Sequence, residues 1–193
     1  MISNCARIIT NWLESKEAIN HEDYELYYYA SYSLIITILP VCLALIVGGI
    51  MGTPINSLLV VLPFMVIRKY SGGYHAKHVG VCMFFSVIIL CVFTWISGQV
   101  VWNEWFIVIV LVSVLSLGFF SPMESVNREL SNVEKGSYKK ITMCLLGLLL
   151  LLILVLERLS MSKTAICIST GIILSASLQV PCLVENILKN YQN

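Results

Sequence analysis

Read from its first residue, the chain alternates long apolar runs with short polar breaks. Residues 2–18 differ from the rest. Ile2, Cys5, Ile8, Ile9, Trp12 and Leu13 recur on one helical face, while Asn4, Arg7, Asn11 and Glu14 fall elsewhere, with Lys16 and Glu17 adding charge near the end. That pattern predicts an amphipathic helix lying in a membrane interface rather than crossing it. Asn20 and His21 break it. Glu22 and Asp23 suit the start of the next helix, where acidic groups meet the positive end of the helix dipole. Tyr24, Tyr27, Tyr28, Tyr29 and Tyr32 then form an aromatic belt of the kind found at headgroup level.

Six apolar runs come next, at 30–50, 55–67, 79–97, 105–120, 141–156 and 164–183. Each reads as a transmembrane helix. The second is short for a bilayer, whose hydrocarbon takes about 20 helical residues. Pro40 predicts a kink in the first and Pro181 a bend in the last. Trp95, Trp102 and Trp105 flank the turn at 98–104 as further belt residues. The longest polar segment, 121–140, carries Glu124, Arg128, Glu129, Glu134, Lys135, Lys139 and Lys140, and is predicted to lie at the surface. With no internal repeat and no linker, the expected fold is an all-α polytopic membrane bundle. It has six transmembrane helices plus the N-terminal amphipathic interfacial helix, in a single integral domain over 1–193.

Composition agrees. Of 193 residues, 58% are hydrophobic and 12% charged, and mean hydropathy is +0.86. About a quarter of a soluble domain is charged, so this chain lacks the polar residues to coat a water-facing surface. A net charge of +1 gives no reason to expect nucleic acid. The first long apolar run begins only near Ala30, so no cleaved leader is expected. The seven cysteines show no paired spacing, which argues against a disulfide framework. The placement of the bases orients the bundle. With the N-terminus cytoplasmic, Arg7, Lys16, Arg68, Lys69, Lys77, Arg128, Lys135, Lys139, Lys140 and Lys189 all fall inside, leaving Arg158 and Lys163 outside. The positive-inside rule then predicts a multi-pass membrane protein with both termini and the stretch after the second run in the cytoplasm.

One break stands apart. Arg68-Lys69-Tyr70-Ser71-Gly72-Gly73-Tyr74-His75-Ala76-Lys77-His78 leads into the third run, which carries Cys82 near its start. A cysteine, a nearby imidazole and a positive surrounding are the parts of a thiol active site, since bases favour the thiolate and a histidine can take the proton. His78, four residues before Cys82, is its neighbour on a continuous helix. His75, seven before, lies about 10.5 Å along the axis, and reaches the sulfur only if the chain bends at Gly72-Gly73. Spacing alone therefore favours His78. Two plainer readings stand beside this one. The histidines can be interfacial polar residues with Cys82 a packing cysteine. Alternatively, His75, His78 and Cys82 can be three ligands of a metal, for which no fourth ligand and no nearby carboxylate is in view. No metal and no cofactor is expected.

Arg68, Ser71-Gly72-Gly73, His75-Ala76 and Cys82 together resemble the signature of the accessory gene regulator protein B family, bacterial membrane cysteine endopeptidases of peptide quorum sensing, which implies a place in a bacterial cell membrane. The resemblance extends to chain length, the six apolar runs and the polar segment between the fourth and fifth, although 121–140 is poorer in lysine than the family's loop. It implies that His75 and Cys82 are the catalytic dyad, against the choice made from spacing. Arg68, Gly72, Gly73 and His78 become supporting residues, with Arg68 either orienting a substrate carboxylate or serving as a snorkelling anchor. It implies a propeptide substrate, a pheromone precursor cleaved at its C-terminal tail. Cys82 would form an acyl-enzyme, from which an internal thiol or hydroxyl would close a thiolactone or lactone. The partners expected are that propeptide and the lipid bilayer, with a homodimer left open and no nucleic acid. Two other functions compete: a peptide transporter or export channel, which the scarcity of ionisable groups within the runs disfavours, and a non-catalytic membrane scaffold.

Overall fold

The computed structural model of the protein describes residues 2–72, 79–123 and 131–184, and for 79–84 and Asn132 it describes the backbone only. Among these residues lie seven α-helices: α1 (Ile2–Ser15), α2 (Tyr24–Ile50), α3 (Pro54–Ser71), α4 (Val79–Gln99), α5 (Glu104–Phe120), α6 (Asn132–Arg158) and α7 (Ser162–Ser177). A short 3₁₀ turn, His21–Asp23, leads into α2. Each of the six apolar runs is helical, the last apart from a turn at 178–179, as a bilayer demands of any segment that must satisfy its own backbone. Three stretches are long and apolar enough to cross a membrane: His21–Ile50, Val133–Arg158 and Ser162–Val184. Shorter apolar stretches, Phe85–Gln99 and Glu104–Phe120, belong to α4 and α5. The protein is an all-α membrane protein.

One helix boundary differs from expectation, for a local reason. The fifth run was expected from 141, and α6 already begins at Asn132, while the described side chains of 131–140 are exposed or half-buried, as expected of a surface segment. Ser131 and Glu134 form a capping box there, with Glu134 N donating to Ser131 Oγ at 3.3 Å and Ser131 N donating to Glu134 Oε2 at 2.9 Å. A helix started by such a box carries polar residues as readily as apolar ones. The last run is interrupted near Pro181, as expected: α7 ends at Ser177, and after a turn at 178–179 the chain is helical again over 180–184. Proline lacks an N–H and its ring crowds the carbonyl four residues earlier, here that of Ser177, so the break precedes the proline. Gln179 N instead donates to Ala176 O at 3.0 Å, a tighter turn.

Contacts divide the chain into two units, Met1–Leu43 and Ala44–Asn193. In the first, Tyr24 Oη donates to Asn11 Oδ1 at 2.6 Å, and His21 Nδ1 lies 2.7 Å from Glu14 Oε1. The apolar stripe of α1 is open at Ile8, Ile9 and Trp12.

In the second unit α7 is the centre, packing against α3, α4, α5 and α6. Its residues suit that place. Ala165, Ser169, Gly171, Ser175 and Ala176 are small and buried, and small residues let backbones approach closely where lipid supplies no hydrophobic drive for association. A Cβ on Gly171 would collide with the Val60 carbonyl of α3 and come within 2.6 Å of Pro63 Cγ. The hydroxyls buried by this packing bond within their own helix, Thr170 Oγ1 to Ile166 O at 2.7 Å and Ser175 Oγ to Gly171 O at 3.0 Å. Ile168, Ile172 and Ala176 then join Ile67, Leu117, Leu146 and Ile153 in one core cluster.

Candidate active site at the end of α3

One polar contact between helices shows how α4 lies against α3. Ser57 Oγ and Thr94 Oγ1, both buried, are 2.9 Å apart and join α3 to α4. Ser57 lies near the start of α3 and Thr94 near the end of α4, so the two helices run antiparallel. From Ser57 to Ser71 the helix rises about 21 Å, and from Thr94 back to Cys82 about 18 Å. The helical turn that carries Cys82 is therefore level with the last turn of α3, within a single turn. Adjacency in sequence alone would not have guaranteed this.

The last turn of α3 holds Arg68, Lys69, Tyr70 and Ser71. Bases there oppose the negative end of the helix dipole. Arg68 is half-buried, with its guanidinium 5.9 Å from the centre of the Phe64 ring. Lys69 Nζ lies 5.6 Å from the Tyr70 ring, and Tyr70 meets Tyr138 of α6 edge-on at 5.9 Å. Gly72 ends the helix, its N–H donating to Arg68 O at 3.2 Å. Its φ of +71° is one that residues with a side chain rarely adopt. A second constraint falls on the same residue. Gly72 pairs with Met123 in an isolated parallel bridge, Met123 N donating to Ser71 O at 2.9 Å, and a Cβ on Gly72 would strike the Met123 carbonyl. The glycine is required both for its conformation and for lack of room.

Met123 belongs to the short segment after α5, which Gln179 holds from the far side by donating Nε2–H to Ser121 Oγ at 2.9 Å. Ser71, Ser121 and Gln179 are all buried. The ends of α3, α5 and α7 thus meet in a polar knot at the place where the chain leaves α3. None of Ser121, Met123 and Gln179 was singled out from sequence. A glutamine isolated within an apolar run was the one available signal, since a polar side chain in such a run is usually kept for a reason.

Of the residues expected at the site, Arg68 and Gly72 stand together on this turn, and Cys82 lies on α4 at the same level. Gly73, His75 and His78 lie outside the described residues, as do Lys77 and the Cys82 side chain. Among the described residues, no three His, Cys, Asp or Glu side chains converge as metal ligands. A groove of about 420 Å³ opens between α5 and α6, lined by Val114, Gly118, Met143, Leu146 and Gly147 with Lys139. Apart from Lys139 its lining is apolar.

Comparison with known proteins agrees with these elements. Residues 6–182 match the sequence profile of the family described as Accessory gene regulator B. The chain is 26% identical over 159 residues to an AgrB-like protein of Clostridium perfringens (strain SM101 / Type A), a relative itself named by resemblance, covering 75% of this chain and 74% of the relative. It is equally similar to AgrB-like protein 2 of Clostridium perfringens (strain 13 / Type A), again 26% identical over 159 residues. No solved structure matches the fold.

Proposed function

The chain belongs to the accessory gene regulator B family, which takes part in accessory gene regulator quorum sensing, and from that premise we propose that it is a membrane cysteine endopeptidase. It cleaves a propeptide at its C-terminal tail and promotes ring closure of the product. The observation that supports this reading is the level of Cys82 on α4, within about a turn of the basic last turn of α3. In this reading the cations favour the thiolate.

In this reading Cys82 Sγ attacks the carbonyl at the tail junction while His75 takes the thiol proton. Collapse of the tetrahedral intermediate breaks the C–N bond, and His75 returns the proton to the departing amine. The thioester is then attacked by a thiol or hydroxyl within the peptide, which closes a thiolactone or lactone and restores the Cys82 thiol. Exchange of a thioester with a thiol is nearly balanced, so this step needs exclusion of water more than driving force. Arg68, tethered over Phe64, is suited to hold a substrate carboxylate.

The test is cleavage of the cognate propeptide by purified protein in lipid vesicles. Cys82→Ser is expected to remove cleavage while leaving the protein folded. His75→Ala should lower it by about a hundredfold or more, and His78→Ala by much less. Cleavage by Cys82→Ser at the wild-type rate would end the peptidase reading. Activity lost in His78→Ala but kept in His75→Ala would move the base to the position that spacing favours.

The reading places both termini and the α3–α4 connection in the cytoplasm, with α2 to α7 as six crossings. Single cysteines at Ser131 and Ser160, in a chain otherwise free of cysteine, check this with a thiol reagent that cannot cross membranes. Ser160 should label in intact cells and Ser131 only after lysis. The opposite pattern would invert the orientation and put the dyad on the wrong side for a newly made peptide.

A further inference from the structure

Gln179 is fully buried. Its Nε2–H donates to Ser121 Oγ, while its carbonyl Oε1 is buried and meets no donor among the described residues. A primary amide is a poor filler for the inside of a membrane bundle, since an apolar residue of the same size would pack there without an unsatisfied carbonyl. Its placement is built in. Pro181 interrupts the helix, and Gln179 sits in the resulting turn at 178–179, its N–H donating to Ala176 O at 3.0 Å.

The contacts continue from Gln179 in one direction. Ser121 opens the segment after α5, whose Met123 N donates to Ser71 O at 2.9 Å and whose Met123 carbonyl leaves no room for a side chain at Gly72. Gly72 is the last described residue before the segment that contains His75.

We propose that Gln179 is a positioning residue for the reaction proposed above: through Ser121 and Met123 it sets the Gly72 turn, and so the point from which the chain leads to the catalytic base. It acts on the turn and not on the reacting atoms. The inference rests on the endopeptidase reading, in which the base must approach a thiol one helix away.

Full-length protein in vesicles, with Cys82 as its sole cysteine, provides the test. The rate of Cys82 alkylation by iodoacetamide is followed against pH, beside kcat and KM for propeptide cleavage. Wild type should show a thiolate forming well below the range of an ordinary thiol, about 8.5. Gln179→Met should raise that midpoint and lower kcat about tenfold or more, with KM within about twofold. Ser121→Ala, a smaller change, should do the same, and the double variant should lose no more than the worse single one, because both cut one chain of contacts. Measurements are made on the monodisperse fraction, so that loss of folded protein does not imitate the effect. An unchanged midpoint and kcat in either single variant, or additive losses in the double, would overturn the inference. A wild-type midpoint at the ordinary value, together with cleavage by Cys82→Ser, would instead overturn the endopeptidase reading, and this inference with it.

Discussion

α6 and α7 are both long and apolar, yet they occupy opposite surroundings. In the most apolar part of Val133–Arg158, 17% of residues are buried, against 67% in Ser162–Val184. Hydropathy does not explain the difference, because the outward helix is the more apolar of the two. Side-chain size does. α6 is built on leucines, and Leu148, Leu151 and Leu154 are each more than half exposed. Leucine facing lipid tails loses nothing, since the tails are as apolar as leucine. α7 instead presents Ala, Gly, Ser and Thr, which let four neighbouring helices approach its backbone. In a membrane the central helix is thus marked by small side chains, not by apolar ones.

The largest expected effect separates two glycines. Gly171→Leu drives a side chain into the Val60 carbonyl and Pro63 of α3. It should destabilise the bundle by about 3 kcal/mol or more, read as a lower unfolding midpoint in detergent or as failure to yield monodisperse protein. Gly147→Leu, on the open face of α6 with nothing within 4 Å of its Cβ position, should stay within about 0.5 kcal/mol of wild type. Equal losses at the two sites would remove the distinction between the helices.

A smaller effect sharpens the comparison from within the buried seam. Ser57→Ala and Thr94→Val each cut the hydroxyl contact between α3 and α4. A double-mutant cycle should give a coupling of about 0.6 kcal/mol, measured by the same unfolding assay. A coupling of zero would mean that packing alone sets the register of α4, and hence the level of Cys82.

Much of the architecture was legible in the amino-acid pattern. The apolar runs marked the helices to within a few residues at most ends, and the Ser131-x-x-Glu134 pattern that moved the start of α6 was present to be read as a capping box. Arg68 and Gly72 were singled out by their place in a polar break between runs, and the structure adds a reason for Gly72 that composition could not supply: the Met123 carbonyl beside it. Ser121 and Met123 were not legible, because nothing near them in sequence announces a partner. The contact between Gln179 and Ser121 joins residues 58 apart, and no periodicity of 2 or 3.6 carries information over that distance.

The sequence by itself determined that this is an all-α membrane protein, where its helices lie, and which family it resembles. The reason is local: a segment in lipid must satisfy its backbone within itself, so a long enough apolar run has one main solution. Only the tertiary structure decided that α7 is the centre, that Cys82 lies level with the end of α3, and that Gln179 reaches Ser121. These depend on how closely one backbone approaches another, which is set by the fit of small side chains on one helix to shapes presented by three or four others.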